Sequence, residues 1–588
     1  MSTHARPLAV WLAAASDSQL SALFEARGVR PDSSWSDFFD AAEELLETAS
    51  IERMLPRLTL QEATQLHRAV ARTTDGGEGS VAGAPATEES AALVALALLR
   101  PDGTPYPPVV DAVSARELPA LPAPEDAVPA SDIAEAHAAE RAFTSVSALA
   151  DLLMMARETP LALLTSGSLA AGEKRRLLDA GLALDNIDAL VALAADAALV
   201  TTAHRLLRLT ALGESWLRLT ALERWTRLSE AFRVALPRGL RNDSGGWLPV
   251  RSWEHQHPWD PSWSERSAAL RDRAHLLGLI AEQDSEPTWA APIREGRPAE
   301  ISELQRLLPA EVDRIFLQND LSAIAPGPLA PALDVRLRGI AARESTAQAS
   351  SYRFTSESVS HALAAGETAS SILEFLEQLS LTGIPQPLEY LVTQTAQRHG
   401  LVRVFTDPQT ERTRVASTDV TLLDAMGVDQ SLRPLGLSRD ASGLSSRVGR
   451  DTVYWALTDA RYPATIVGSD GRPQVVDRNP APPAEMSEPP SYDPLIARLR
   501  DHQGPDADAA WLDRELEAAV RTKAVLVVEV GMPDGSTREF LLEASGLGGG
   551  RLRGRDRAAD VERTLPVKSI RSARVFDPSP PAPTTSSP

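Results

Sequence analysis

The chain has 588 residues, 43% of them hydrophobic and 24% charged, a globular composition long enough for several domains. It carries 80 Asp/Glu against 59 Lys/Arg, a formal charge of −21, so it repels nucleic acid at long range and any such contact needs a local basic face. Cysteine is absent, which excludes disulfides, thiolate nucleophiles, iron–sulfur clusters and Cys-type zinc sites.

The opening "MSTHARPLAVWLAAASDSQL" lacks a small-residue cleavage site after its apolar stretch, and no run reaches the roughly 20 apolar residues of a membrane span; a cytoplasmic protein without membrane contact is expected. Residues 1–140 hold 22 Asp/Glu against 9 Lys/Arg. In this front part "SDSQLSALFEARG" puts Leu20, Leu23 and Phe24 on one helical face and stops at Gly28, and "TLQEATQLHRAV" opens on a Thr59/Glu62 capping box. Pro/Gly/Ser/Glu-rich stretches at 72–89, 117–132 and 478–494, and the tail 577–588, read as spacers. The expected plan is an acidic helical domain over 1–116, a Pro/Ala-rich linker over 117–140 and a winged-helix domain with a Trp-rich connection over 141–300. A second unit over 301–477, a Pro-rich linker over 478–494, a small domain over 495–576 and the disordered tail complete it.

After residue 141, three helical periods broken at Pro160, Gly167 and Gly181 precede "TTAHRLLRLTALGESWLRL", read as a hairpin with Gly213 as its glycine; helices followed by a hairpin make a winged helix. The order recurs in "YRFTSESVSHALAAGETASSILEFLEQLS". Thr355 or Ser356 opens a helix ending near Gly366, Thr368 caps the next, and a third runs from Pro387 to Gly400. "LVRVF" and "ERTRVAS" then give strand, turn, strand. The fold class expected is mainly α with small β elements (α+β), multi-domain, with tandem winged-helix-like units and a small C-terminal β-barrel-like domain.

"IFLQNDLSAIAPGPLAPAL" (315–333), the stretch 352–380 and "IPQPLEYLVTQTAQRHGLVRV" together resemble the helicase-associated domain at the N-terminus of XPB-type DNA helicases, which in actinobacteria also occurs in stand-alone proteins. The resemblance is good over 310–405, extends over 145–470, and assigns 301–477 to that domain. It implies a nucleic-acid role beside a helicase and brings no catalytic residues. The C-terminal stretch "LDRELEAAVRTKAVLVVEVGMPDGSTREFLLEASGLGGGRLRGRDRAADVERTLPVKSIRSARVF" is similar to a WYL-type domain, a small barrel that binds nucleic acid or a regulatory ligand. The tyrosine usual in its first strand is missing where Leu526–Val530 read "LVVEV".

A helicase motor needs a GxxxxGK[ST] loop to cradle phosphates, and none occurs; no enzyme activity, cofactor or catalytic residue is expected. His255 and His257 in "SWEHQHPWDPSW" form an H-x-H pair without a second ligand pair, so no metal site is expected. Trp247, Trp253, Trp259, Trp263 and Trp289 suit packing between neighbouring domains better than base stacking. The cations chosen as phosphate contacts are Lys174, Arg175 and Arg176 on a helix of the first unit, Arg205 and Arg208 on its wing, and Arg551, Arg553, Arg555 and Arg557 in "RLRGRDR". The helix "LDNIDALVALAADAAL" offers Asp185, Asp188 and Asp196 and no cation for base readout. The functional expectation is a non-catalytic accessory or regulator of a helicase in DNA repair or transcription, with DNA and an XPB-type helicase as partners. The alternative is a protein-interaction scaffold or ligand-sensing regulator without DNA contact. The acidic front is expected to mask the basic segments, so that removing 1–140 tightens DNA binding.

Overall fold

In a computed structural model of the chain, residues 4–74, 88–119, 126–182, 185–346, 350–440, 443–468, 471–480, 482, 491–504, 507–532 and 535–576 are described. The expected tail and much of the three expected spacers lie outside these residues. Apolar side chains of the described residues gather into five cores, and many of the helices are short and sharply capped.

The first core is built by helices Ala5–Ala14, Asp17–Arg27, Phe38–Leu45, Thr48–Met54, Leu60–Thr74 and Pro107–Ser114. Ser16 and Gln19 form a capping box, and Gly28 ends the same helix at φ 63°, a left-handed conformation that glycine adopts without strain. The buried Arg27 donates to Leu96 O (3.2 Å), Ser50 Oγ (2.9 Å) and the Leu45 carbonyl, and burial lowers its pKa to about 10.

The far end of the chain completes this core. Tyr492, Leu495, Ile496 and Leu499, on and just before helix Asp493–Asp501, pack into it, as does Trp511 of helix Ala507–Thr522. Tyr492 donates to Val29 O at 2.9 Å, Arg500 reaches Asp17 at 3.1 Å, Arg514 reaches Asp40 at 2.7 Å and Arg6 pairs with Asp508 at 2.7 Å. The expected 495–576 unit is therefore divided, with its leading helix in the N-terminal core. The expected masking takes another form as well. Acidic residues of 1–140 bind Arg500 and Arg514, and none of the nine chosen cations is bonded to 1–140 among the described residues. Deleting 1–140 uncovers Tyr492, Leu495 and Trp511.

The second core follows the expected order. Helix Asp132–Glu158, which starts inside the expected 117–140 linker, leads to strand Leu161–Ala162, helices Ala171–Asp179 and Ile187–Asp196, and strands Val200–Ala203 and Leu206–Leu209, with Leu206–Leu209 central in the three-stranded sheet. The hairpin turn is made by His204 and Arg205 at φ 52° and 61°, the left-handed pair that a two-residue turn of this twist requires. Gly213, read as the hairpin glycine, lies in helix Ala211–Trp216 instead. A Cβ there would sit 2.4 Å from Leu199 O, so the residue permits close packing of helix on strand. Trp247, Trp253, Trp259, Trp263 and Trp289 are all buried, and the indoles of Trp253, Trp259, Trp263 and Trp289 donate to the carbonyls of Leu248, Glu117, Trp253 and Gly278. They are packing residues, and Trp259 belongs to the first core.

Residues 301–477 hold two cores. In one, strands Phe316–Leu317, Ser322–Ala325, Ser350–Arg353 and Ala342–Thr346, in that order, lie with helices Ser356–Ala364, Ala369–Leu379 and Gln386–Arg398. Thr355 and Thr368 cap the first two helices as expected. In the other, the hairpin Val402–Thr406/Thr413–Ser417 joins a six-stranded sheet, with Ala464–Val467 running parallel to Val402–Thr406, covered by helices Val420–Val428 and Arg450–Asp459. The three helices and the hairpin of the expected second unit thus serve different cores. Asp151 ties this region to the second core through Arg338 (2.8 Å) and Arg343.

The fifth core lies under an antiparallel sheet ordered Val561–Pro566, Arg551–Asp556, Thr537–Gly548, Val525–Gly531, Ile570–Val575. The sheet stays open at its two edge strands and does not close into the expected barrel. Glu515, on the helix joining this core to the first, is 4% exposed, and its pKa is pushed up to about 7 by burial, which Arg6 and Arg100 only partly offset.

Leu499→Ala removes a fully buried side chain from the seam between the chain's two ends and costs about 2–5 kcal/mol; urea denaturation followed by Trp fluorescence reads it, and an unchanged midpoint contradicts the seam. For Glu515, the raised folded pKa means its stabilising contribution is complete below the ordinary carboxyl value of 4.5 and is lost as pH rises through about 7. Glu515→Gln is therefore more stable than the parent above pH 7, with the gap closing toward pH 4.5. A gap that widens on acidification contradicts the assignment.

Candidate nucleic-acid interface

A cation already held by a carboxylate must give up that contact to bind a phosphate, so pairing ranks the candidates. On helix Ala171–Asp179, Lys174 binds Asp188 at 3.0 Å and Arg176 binds Glu173 at 3.0 Å, while Arg175 is exposed and carries no side-chain partner among the described residues. On the hairpin, Arg205 donates to Leu163 O at 3.3 Å. The Arg208 Nε is buried without a partner, and its side chain lines a cleft of about 940 Å³ where the second, third and fourth cores meet. That cleft also holds Arg157 paired with Glu214 (2.8 Å) and Arg478 paired with Asp459 (2.8 Å) beside Trp455, so its charge is balanced within itself.

The helix after the first cations, Ile187–Asp196, is unsuited to a groove. Ile187, Leu190, Leu193 and Ala194 are buried in the second core, and Asp196 binds Arg273 at 2.7 Å with its carboxyl pKa raised by burial.

In "RLRGRDR" the strand alternates, with Leu552, Gly554 and Asp556 inward and Arg551, Arg553 and Arg555 outward. Arg555 pairs with Asp560 at 2.6 Å and Arg557 with Glu543 at 3.1 Å. Arg551 and Arg553 have no side-chain partner among the described residues. Across the ladder they face Gly548 and Gly546 on one side and Pro566 and Thr564 on the other, none of which carries a charge. Of the nine chosen residues, five have no carboxylate partner among the described residues: Arg551 and Arg553, two positions apart on one strand, and Arg175, Arg205 and Arg208 on the second core, where Arg205 gives its Nε to Leu163 O and Arg208 lines the cleft. The fold does not gather the nine into one site.

His257, the inner half of the H-x-H pair, is buried against Trp263 with its ring centroid 4.3 Å away, and burial lowers its pKa; His255 pairs with Glu254 at 3.1 Å. Among the described residues no cluster of three or more His, Cys, Asp or Glu could hold a metal ion, and no helix is long and apolar enough to cross a membrane.

Free guanidiniums that sequence reasoning passed over lie elsewhere. Arg398 ends helix Gln386–Arg398, Arg403 projects from the next strand and Arg412 sits at the tip of the hairpin; all three are exposed and carry no side-chain partner among the described residues. The only signal in the sequence was their singleness, since no run of cations marks them.

Residues 315–441 match the family described as helicase conserved C-terminal domain. The matched span takes in the whole third core, the hairpin, helix Val420–Val428 and strand Ser438–Asp440, and it stops partway through the six-stranded sheet. No curated protein matches the chain. The chain therefore carries a segment of helicase C-terminal type in a multi-domain α+β architecture.

On this pairing pattern, Arg551→Ala with Arg553→Ala lowers the slope of log K against log salt for duplex DNA by about 2, whereas Lys174→Ala with Arg176→Ala leaves it unchanged. Filter binding across a salt series reads both, and the reverse ranking contradicts the assignment.

Proposed function

We propose that the chain is a non-catalytic, nucleic-acid-associated protein that acts as an accessory or regulator of a helicase in DNA repair or transcription. The observation carrying this reading is the match of 315–441 to a helicase C-terminal domain, a segment that in this chain bears exposed, unpaired Arg398, Arg403 and Arg412.

Several features support it. The stretch holds no GxxxxGK[ST] loop, so a nucleotide-driven motor has to come from a partner, for which the XPB-type resemblance names the class. The element order of the second core, helix, strand, helix, helix, hairpin, is that of a winged helix, and three helices followed by a hairpin recur over 356–417. The C-terminal sheet, WYL-like in sequence, adds the free pair Arg551 and Arg553 on an open face. Such a protein grips phosphates at a few local points on an anionic body, with modest affinity and steep salt dependence.

Filter binding of the full chain to duplex and single-stranded DNA from low to physiological salt tests the reading. Binding that weakens steeply with salt supports it. Failure to retain either form near 50 mM salt overturns it in favour of a protein-interaction scaffold, because phosphate contacts are strongest there. Hydrolysis of ATP by the pure chain overturns the non-catalytic part.

A further inference from the structure

Helix Gln386–Arg398 differs in surface chemistry from the chain's other helices. Its inner face, Leu388, Val392 and Thr395, is buried against the two helices before it, which fixes its rotation. Its outer face carries Gln386, Glu389, Tyr390, Thr393, Gln394 and Gln397, all exposed, with Tyr390 at 65%. These positions recur at the three- and four-residue spacing of one helical stripe. Apart from Glu389 they are uncharged groups that both donate and accept hydrogen bonds, or in Thr add a methyl. The only bond among them is Gln394 to the Tyr390 hydroxyl at 3.2 Å.

A solvated helix face in this chain normally carries ion pairs; this one carries amides and hydroxyls and ends in an unpaired arginine. Glutamine suits the N6/N7 edge of adenine, threonine the thymine methyl, and a free carboxylate the amino group of cytosine. The helix width of about 10–12 Å fits the major groove of B-form DNA, and the stripe's length of about 16 Å spans four to five base pairs. It is the last of three helices packed in the third core, and the hairpin that follows it belongs to the fourth. Base readout needs phosphate contacts on either side of it, and the exposed cations that follow in the chain are Arg398 at the helix end, Arg403 on the next strand and Arg412 at the end of the hairpin turn. Asp407, at the same tip, is occupied by Gln409, Thr410 and Arg414.

We propose that the exposed stripe of helix Gln386–Arg398 reads base edges in the major groove of duplex DNA, with Arg398, Arg403 and Arg412 holding the flanking phosphates. This rests on the nucleic-acid reading above and adds sequence preference to it. Narrow, deep grooves of A-form RNA would not admit the helix.

The test is a selection by the full chain from a randomised short duplex DNA pool, followed by anisotropy titrations of the enriched and the unselected duplexes. Expected is an enriched sequence for which Gln394→Ala with Gln397→Ala weakens binding about tenfold while leaving the unselected duplex unchanged. Arg403→Ala with Arg412→Ala weakens both duplexes alike and flattens the salt slope. All four positions are exposed, and matching thermal melts check that the variants fold. Binding without enrichment, or enrichment untouched by the glutamine pair, overturns the readout and leaves the nucleic-acid role standing. Absence of any DNA binding overturns both.

Discussion

Carboxylates outnumber cations in this chain, and that imbalance governs where its surface can meet an outside anion. Most arginines sit within salt-bridge distance of an Asp or Glu, often across a boundary between cores, as Arg338 does with Asp151 and Arg514 with Asp40. Such pairs on the surface add little stability individually. Their larger effect is selective, because each one withdraws a guanidinium from external use. Among the described residues the exposed cations outside such pairs include Arg398, Arg403 and Arg412 around one helix and hairpin and Arg551 with Arg553 on one strand, with others such as Arg53, Arg68, Arg227, Arg433 and Lys568 scattered over the remaining surface. On the proposed reading, an anionic body offers nucleic acid its contacts at local cationic points, and the same net charge keeps non-specific adhesion low.

The second constraint is the seam between the chain's ends. Tyr492, Leu495, Ile496, Leu499 and Trp511 fill a core otherwise made by the first 116 residues and Trp259, while Leu512 and Leu516 of the same late helix turn to the C-terminal sheet. One helix therefore joins the acidic front to the sheet bearing Arg551 and Arg553. Glu515 on that helix, whose carboxyl pKa burial pushes up to about 7, marks how tightly the joint is closed. The middle of the chain, with its helicase-type segment, is strung between two ends that fold together.

Much of this was legible because it is local. Thr355 and Thr368 announce helix starts through caps, Gly28 a stop through its left-handed backbone, and the hairpin over 402–417 an alternation of inward valines. What escaped was non-local or depended on pairing. Nothing near Leu495 in sequence says that it packs against residues nearly five hundred positions earlier. Lys174 looks free until the fold brings Asp188 beside it, and Arg205 looks like a phosphate ligand until its Nε is found on Leu163 O. The hairpin turn used His204 and Arg205 where a glycine was expected, while Gly213 served close packing. Helix Gln386–Arg398 gives the sequence no cationic signal, because its outer face carries amides and hydroxyls and one carboxylate.

Hydrogen–deuterium exchange of the full chain with and without duplex DNA tests most directly whether unpaired cations locate the contact. The account predicts slowed exchange over 386–417, and unchanged exchange over 171–179, where Lys174 and Arg176 are held by carboxylates. Protection confined to 171–209, with 386–417 unaffected, would contradict it.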